Sequence, residues 1–150
     1  MINKYNLTFD YKSYHFDLEM RGSVVIIDGD TSSGKTFICE CLRKYKEYLE
    51  DNGDSTFDNI MLFGKSKMDL EVITSLPKPG KIVIIDNADR ILAGNSKLIE
   101  HIANDRCNNA YVIIGRAHYD IDLSPNYYAT VQEKNKYFTL CYSNEVPGWY

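Results

Sequence analysis

The chain has 150 residues with Lys+Arg 17 against Asp+Glu 21, and 44% of it is hydrophobic and 25% charged. That composition is globular and the length suits one domain, which excludes a disordered chain and a repeat array. A formal net charge of −4 at pH 7 excludes a surface that is basic overall, and with it whole-surface binding to nucleic acid or anionic membrane. A local basic patch stays open.

The first ten residues, Met1-Ile-Asn-Lys-Tyr-Asn-Leu-Thr-Phe-Asp10, contain no apolar leader core, and no later apolar run approaches the ~18 residues of a membrane span. A cytoplasmic protein without a membrane partner is the expectation. Cys39, Cys41, Cys107 and Cys141 have no CxxC or His-paired spacing, so reduced thiols are expected in place of a metal site or disulfides.

Leu7-Thr-Phe-Asp10 and Tyr14-His-Phe-Asp-Leu18 alternate apolar and polar residues around a polar link, which predicts a hairpin over 5–18 that edges or covers the core. Val24-Val-Ile-Ile27 is continuously apolar and β-branched, as in a strand buried on both faces. Phe37, Ile38, Cys41, Leu42, Tyr45 and Leu49 then recur at helical spacing up to the stop signal Asp51-Asn-Gly53. Ile60-Met-Leu-Phe63 reads as a short strand, residues 68–76 as a helix ended by Pro77-Lys-Pro-Gly80, and Ile82-Val-Ile-Ile85 as another buried strand. Leu98, Ile99, Ile102 and Ala103 share a helical face, and Ala110-Tyr-Val-Ile-Ile114 is again a strand. Tyr128-Ala-Thr-Val131, the turn Glu133-Lys-Asn-Lys136 and Tyr137-Phe-Thr-Leu-Cys-Tyr142 predict a hairpin over 128–142. Alternating strands and helices with apolar strands predict an α/β fold: three αβα layers, a mostly parallel sheet in a core over about 22–116, and terminal antiparallel hairpins.

Gly29-Asp-Thr-Ser-Ser-Gly34-Lys35-Thr36 matches G-x-x-x-x-G-K-[ST] at every fixed position, between a predicted strand and a predicted helix. The glycines let backbone N–H groups turn inward around phosphates, and the helix start adds its positive dipole end. Gly29, Asp30, Thr31, Ser32, Ser33, Gly34, Lys35 and Thr36 are therefore the expected nucleotide-binding residues. Lys35 would meet the β- and γ-phosphates, and the Thr36 hydroxyl would ligate Mg²⁺. The side chains of Asp28 and Asp30 are expected to face away while the backbone binds. Gly64-Lys65-Ser66 is no second loop, because Asn59 stands where the first glycine belongs; it reads as a turn.

Lys81-Ile-Val-Ile-Ile-Asp86 ends an apolar strand in a carboxylate, the Walker B pattern, which makes Asp86 the second expected Mg²⁺ ligand. With the intervening strand, these features resemble the additional-strand (ASCE) division of P-loop NTPases over about residues 22–116. Asp86-Asn-Ala-Asp89-Arg90 is similar to the D-D-x-D-R run of STAND, KAP and related AAA-type ATPase cores, and Ile113-Ile-Gly-Arg116 to their arginine-bearing sensor. The resemblance implies an ATP- and Mg²⁺-dependent NTPase in which Lys35, Asp89 and Arg116 are catalytic. Asn87 departs from the pattern, which has an acidic residue there. An amide orients a water without taking its proton, so the water-activating role passes to Asp89 or to the substrate. Asp89 also fits a helix start or an ion pair with Arg90, and Arg116 also fits a surface ion pair.

Of the 12 tyrosines, Tyr11 or Tyr14 could stack on a base, or all could be half-buried sheet residues. Asn135-Lys-Tyr-Phe138 lacks the aspartate of the N-K-x-D guanine reader, and no LSGGQ-like stretch lies between Gly64 and Asp86, which leaves ATP outside the ABC class. The functional expectation is slow ATP hydrolysis, or coupling of nucleotide state to a partner protein or oligomer. The alternatives are a non-hydrolysing nucleotide switch or scaffold subunit, and a small-molecule kinase, which would want an arginine-rich lid that the sequence lacks. The aromatic end Val146-Pro-Gly-Trp149-Tyr150 fits docking on a partner or on the chain's own core.

Overall fold

The structure, a computed structural model, describes residues 5–28, 34–64, 80–88, 92, 96–105, 109–115 and 127–142. Eight strands and two helices are assigned among them: β1 (Tyr5–Tyr11), β2 (Tyr14–Met20), β3 (Val24–Ile27), α1 (Lys35–Asp51), β4 (Ile60–Phe63), β5 (Ile82–Ile85), α2 (Ser96–Asp105), β6 (Ala110–Ile114), β7 (Tyr127–Lys134) and β8 (Tyr137–Tyr142). The strands form one sheet in the order β1-β2-β8-β7-β3-β6-β5-β4. No described helix is long and apolar enough to cross a membrane.

Two kinds of strand make up this sheet. β3 and β6 are buried at every position, as their continuous apolar runs require, and β5 at all but Ile82. Around β3 the neighbours are all parallel: Val25 pairs with Val112 of β6 and with Tyr127 of β7, while β5 joins β6 through Ile84↔Val112 and β4 through Leu62↔Ile84. β1 and β2 instead alternate, with Leu7, Phe9, Phe16 and Leu18 inward and Asn6, Thr8, Asp10 and His15 exposed. They pair antiparallel, as do β7 and β8.

The expected αβα fold does not hold. The chain does not form a three-layer αβα core on a mostly parallel sheet with hairpins appended; it is mostly strand, one mixed eight-stranded sheet curled like half a barrel, with two helices among the described residues. The physical reason lies in the terminal pairs. β7 zips to β3 through Ile26↔Tyr128 and Ile27↔Ala129, and β8 zips to β2 through His15↔Tyr137 and Phe16↔Phe138, so both hairpins continue the sheet. The helix expected at 68–76 lies outside the described residues.

Helix α1 buries Ile38, Cys39, Cys41 and Leu42 on one sheet face, and there the β1–β2 and β7–β8 strands wrap toward it. Phe16 stacks on Phe9 at 4.5 Å and on Phe138 at 4.9 Å between ring centroids, and Tyr14 meets Phe37 edge-on at 4.8 Å. Helix α2 buries Leu98 and Ile102 on the other face against Val24, Ile26, Val83, Ile85, Tyr111 and Ile113. Both faces of the β3–β6–β5 region are therefore dry, which sends its polar groups to the strand ends.

Candidate functional site

β3, β6, β5 and β4 run the same way, so Asp28, Gly115, Asp86 and Gly64 collect at their carboxyl ends. The chain leaves each strand there on a backbone hydrogen bond to its neighbour: Gly115 N–H donates to Ile27 O at 3.2 Å and Asp86 N–H to Phe63 O at 2.8 Å. On the other side of β3, Asp28 N–H donates to Ala129 O at 2.8 Å. With ~4.8 Å between neighbouring strands, the ends of β3 and β5 stand ~10 Å apart with Gly115 between them.

Helix α1 starts over this row. Gly34 precedes its first residue at φ 92°, a left-handed conformation natural to glycine, and its carbonyl receives the N–H of Ile38 at 3.0 Å. A Cβ on Gly34 would lie 3.3 Å from the Phe138 ring and 3.6 Å from Val131, so the β7–β8 hairpin sets how closely the chain approaches. Lys35 is 6% exposed, and its ammonium donates to Gly115 O over 2.9 Å. A buried ammonium is tolerated only where oxygens replace its water, and the end of β6 supplies one.

One helical turn on, Cys39 is fully buried, and its thiol is pushed well up, by burial first and by the negative charge of Asp86 second. Lys35 and Cys39 share a helix face, so Asp86 belongs to the same side of the sheet as the Lys35 ammonium. Asp86 is half-buried; its Oδ1 accepts the N–H of Asn87, which is exposed and held at φ 52°. Gly64 lies against it: a Cβ there would stand 2.7 Å from Asp86 O and 3.0 Å from Asp86 Cβ, and φ is 148°. On the opposite face, Tyr128 has its hydroxyl pushed up by burial and by the carboxylate of Asp28.

Of the residues expected from sequence, Gly34, Lys35, Thr36 and Asp86 are described; Lys35 is buried at the strand ends, Thr36 is exposed on the first turn of α1, and Asp86 faces the helix. Gly29, Asp30, Thr31, Ser32, Ser33, Asp89 and Arg116 lie outside the described residues, as do Arg90, Cys107 and the aromatic end Trp149-Tyr150. Tyr14 packs into the aromatic cluster on Phe37, and the Lys136 ammonium lies 5.6 Å from its ring centre. Sequence reasoning missed the Gly115 carbonyl and the Gly64 contact. The signal for both was a glycine immediately after an apolar strand.

Of the two expected Mg²⁺ ligands, Thr36 is exposed and Asp86 half-buried, while the Lys35 ammonium is held on Gly115 O. Among the described residues no group of three or more His, Cys, Asp or Glu could hold a metal ion by itself. No family model matches the chain and no curated protein matches it.

Proposed function

We propose that the chain binds Mg·ATP between the carboxyl end of β3 and the start of α1, and hydrolyses it slowly or passes its nucleotide state to a partner protein. The observation that carries this reading is the Lys35 ammonium, buried at the carboxyl ends of β3 and β6 by a sequence that matches the phosphate-loop pattern at every fixed position. Lys35 exchanges or shares the Gly115 carbonyl for β- and γ-phosphate oxygens, which are stronger partners for a cation. Thr36 and Asp86 would hold Mg²⁺, which when bound neutralises charge on the phosphates. Asp89 and Arg116 complete the proposal as water-polarising and charge-stabilising residues.

Asn87 favours a second reading, a nucleotide switch that binds without hydrolysis. It occupies the position after Asp86 where a carboxylate would accept the proton of the attacking water, and an amide cannot. One experiment separates the readings. Binding of Mg·ATP and release of phosphate are measured on the same preparation, with Lys35→Ala as blank. Release above the blank supports the ATPase, binding without release supports the switch, and absence of binding in the folded chain overturns both.

A further inference from the structure

β1 forms one edge of the sheet, and among the described residues no strand pairs with its outer side. Its register with β2 is unbroken from Tyr5↔Met20 to Tyr11↔Tyr14, and its seven residues include no proline and no lysine. Edges are normally blunted by such residues or by a bulge, so an edge of this length that no described strand covers is a template for another strand.

The sequence of that edge is self-complementary. Tyr5-Asn-Leu-Thr-Phe-Asp-Tyr11 reads nearly the same in both directions about Thr8. If two copies pair antiparallel across a two-fold axis at Thr8, Tyr5 meets the other Tyr11, Asn6 meets Asp10, Leu7 meets Phe9, and Thr8 meets itself. Every pair is favourable: amide with carboxylate, hydroxyl with hydroxyl, apolar with apolar, ring with ring. Asn6, Thr8 and Asp10 are exposed on one face, whereas Leu7 and Phe9 are buried on the other, so this register keeps both copies' apolar residues on the α1 side.

A groove flanks one end of the edge. Beside this edge lies a groove of about 570 Å³ lined by Tyr11, Tyr45, Tyr48, Lys44 and Glu47, and Tyr48 is 60% exposed, the most exposed large apolar side chain among the described residues. Tyr45 and Tyr48 stack at 6.4 Å. The groove borders the Tyr11 end of β1, so a two-fold axis at Thr8 would set one such tyrosine rim at each end of the paired strands.

We propose that the chain forms a two-fold homodimer by pairing β1 with β1 about Thr8, making one continuous sheet across two copies. This does not rest on the nucleotide reading. Two seven-residue edges make a small interface, so the dimer is weak.

The test is sedimentation of the full chain over a concentration series, beside Thr8→Lys, which sets two ammonium groups against each other on the axis. Wild type should shift from monomer to dimer, and Thr8→Lys should weaken the dimer at least about tenfold with an unchanged circular dichroism spectrum. Thr8→Cys reads the register without charge: mild oxidation should cross-link it covalently as a dimer, while wild type and Asn6→Cys should not cross-link. A wild-type chain that stays monomeric to ~1 mM overturns the proposal. So does a dimer that Thr8→Lys leaves intact and Thr8→Cys fails to cross-link.

Discussion

The Lys35 ammonium reaches across from the first turn of α1 to the carbonyl oxygen of Gly115, 2.9 Å away and eighty positions later in the chain. That bond ties the helix start to the end of the strand lying between β3 and β5. It gives Lys35 a structural duty beside the proposed chemical one, and the two separate in measurement.

Lys35→Ala should abolish Mg·ATP binding in calorimetry and lower stability to urea by about 1–2 kcal/mol, the cost of leaving the Gly115 carbonyl without its donor. Lys35→Arg keeps a cation there but changes its shape, so it should recover part of the stability and less of the binding. Full ATP affinity in Lys35→Ala would remove the site assignment.

Gly64→Ala should cost about 2 kcal/mol or more. The new methyl group meets backbone, Asp86 O at 2.7 Å, at a φ of 148° that side-chain-bearing residues rarely adopt. The Asp86 turn would have to move, and on the Mg·ATP reading the Mg²⁺ requirement for binding should rise with it. A urea midpoint equal to wild type would show that this contact is looser than its geometry implies.

Tyr5→Phe should stabilise the chain by about 1 kcal/mol. Among the described residues the Tyr5 hydroxyl is buried without a hydrogen-bond partner, and burial pushes its ionisation far above the ordinary value. Removing an unsatisfied buried oxygen takes away a desolvation cost and leaves the ring's packing in place. Thermal unfolding reads this directly, and a lower midpoint would mean that the hydroxyl does have a partner.

The strands were legible one by one because period and β-branching are local: Val24–Ile27, Ile82–Ile85 and Ala110–Ile114 announce burial on both faces in their own residues. Their assembly was not legible to the same degree. Nothing within Tyr137–Tyr142 says that Phe138 will sit beside Phe16 in a parallel pair, because that choice is made by the aromatic cluster of Phe9, Phe16, Phe37 and Phe138, gathered from distant segments. Two separate hairpins and one continuous sheet have the same local pattern. At the candidate site, the motif spacing singled out Gly34, Lys35, Thr36 and Asp86, whereas the Gly115 carbonyl that Lys35 meets is backbone, which no residue type encodes.

At the other end of β6 a buried hydrogen-bond network leads to a pH-dependent prediction. The buried Tyr111 hydroxyl donates to Asp105 Oδ2 at 2.5 Å, Asn109 Nδ2 donates to the same oxygen at 2.7 Å, and Asn109 Oδ1 accepts the N–H of Lys81 at 2.8 Å, joining the end of α2 to the starts of β5 and β6. Burial, and then the bond to Asp105, push the Tyr111 hydroxyl far above its usual value. In the unfolded chain it ionises at about pH 10, so above that pH the unfolded state binds fewer protons than the folded one. Its contribution is thus complete below pH ~10 and is lost as the pH rises further. Tyr111→Phe should cost about 1–2 kcal/mol at pH 7 through the lost bond to a carboxylate, and its stability should fall less steeply than that of wild type between pH 10 and ~11.5. Urea unfolding of both chains across that interval decides it: parallel slopes would mean that Tyr111 ionises as readily in the folded protein as out of it.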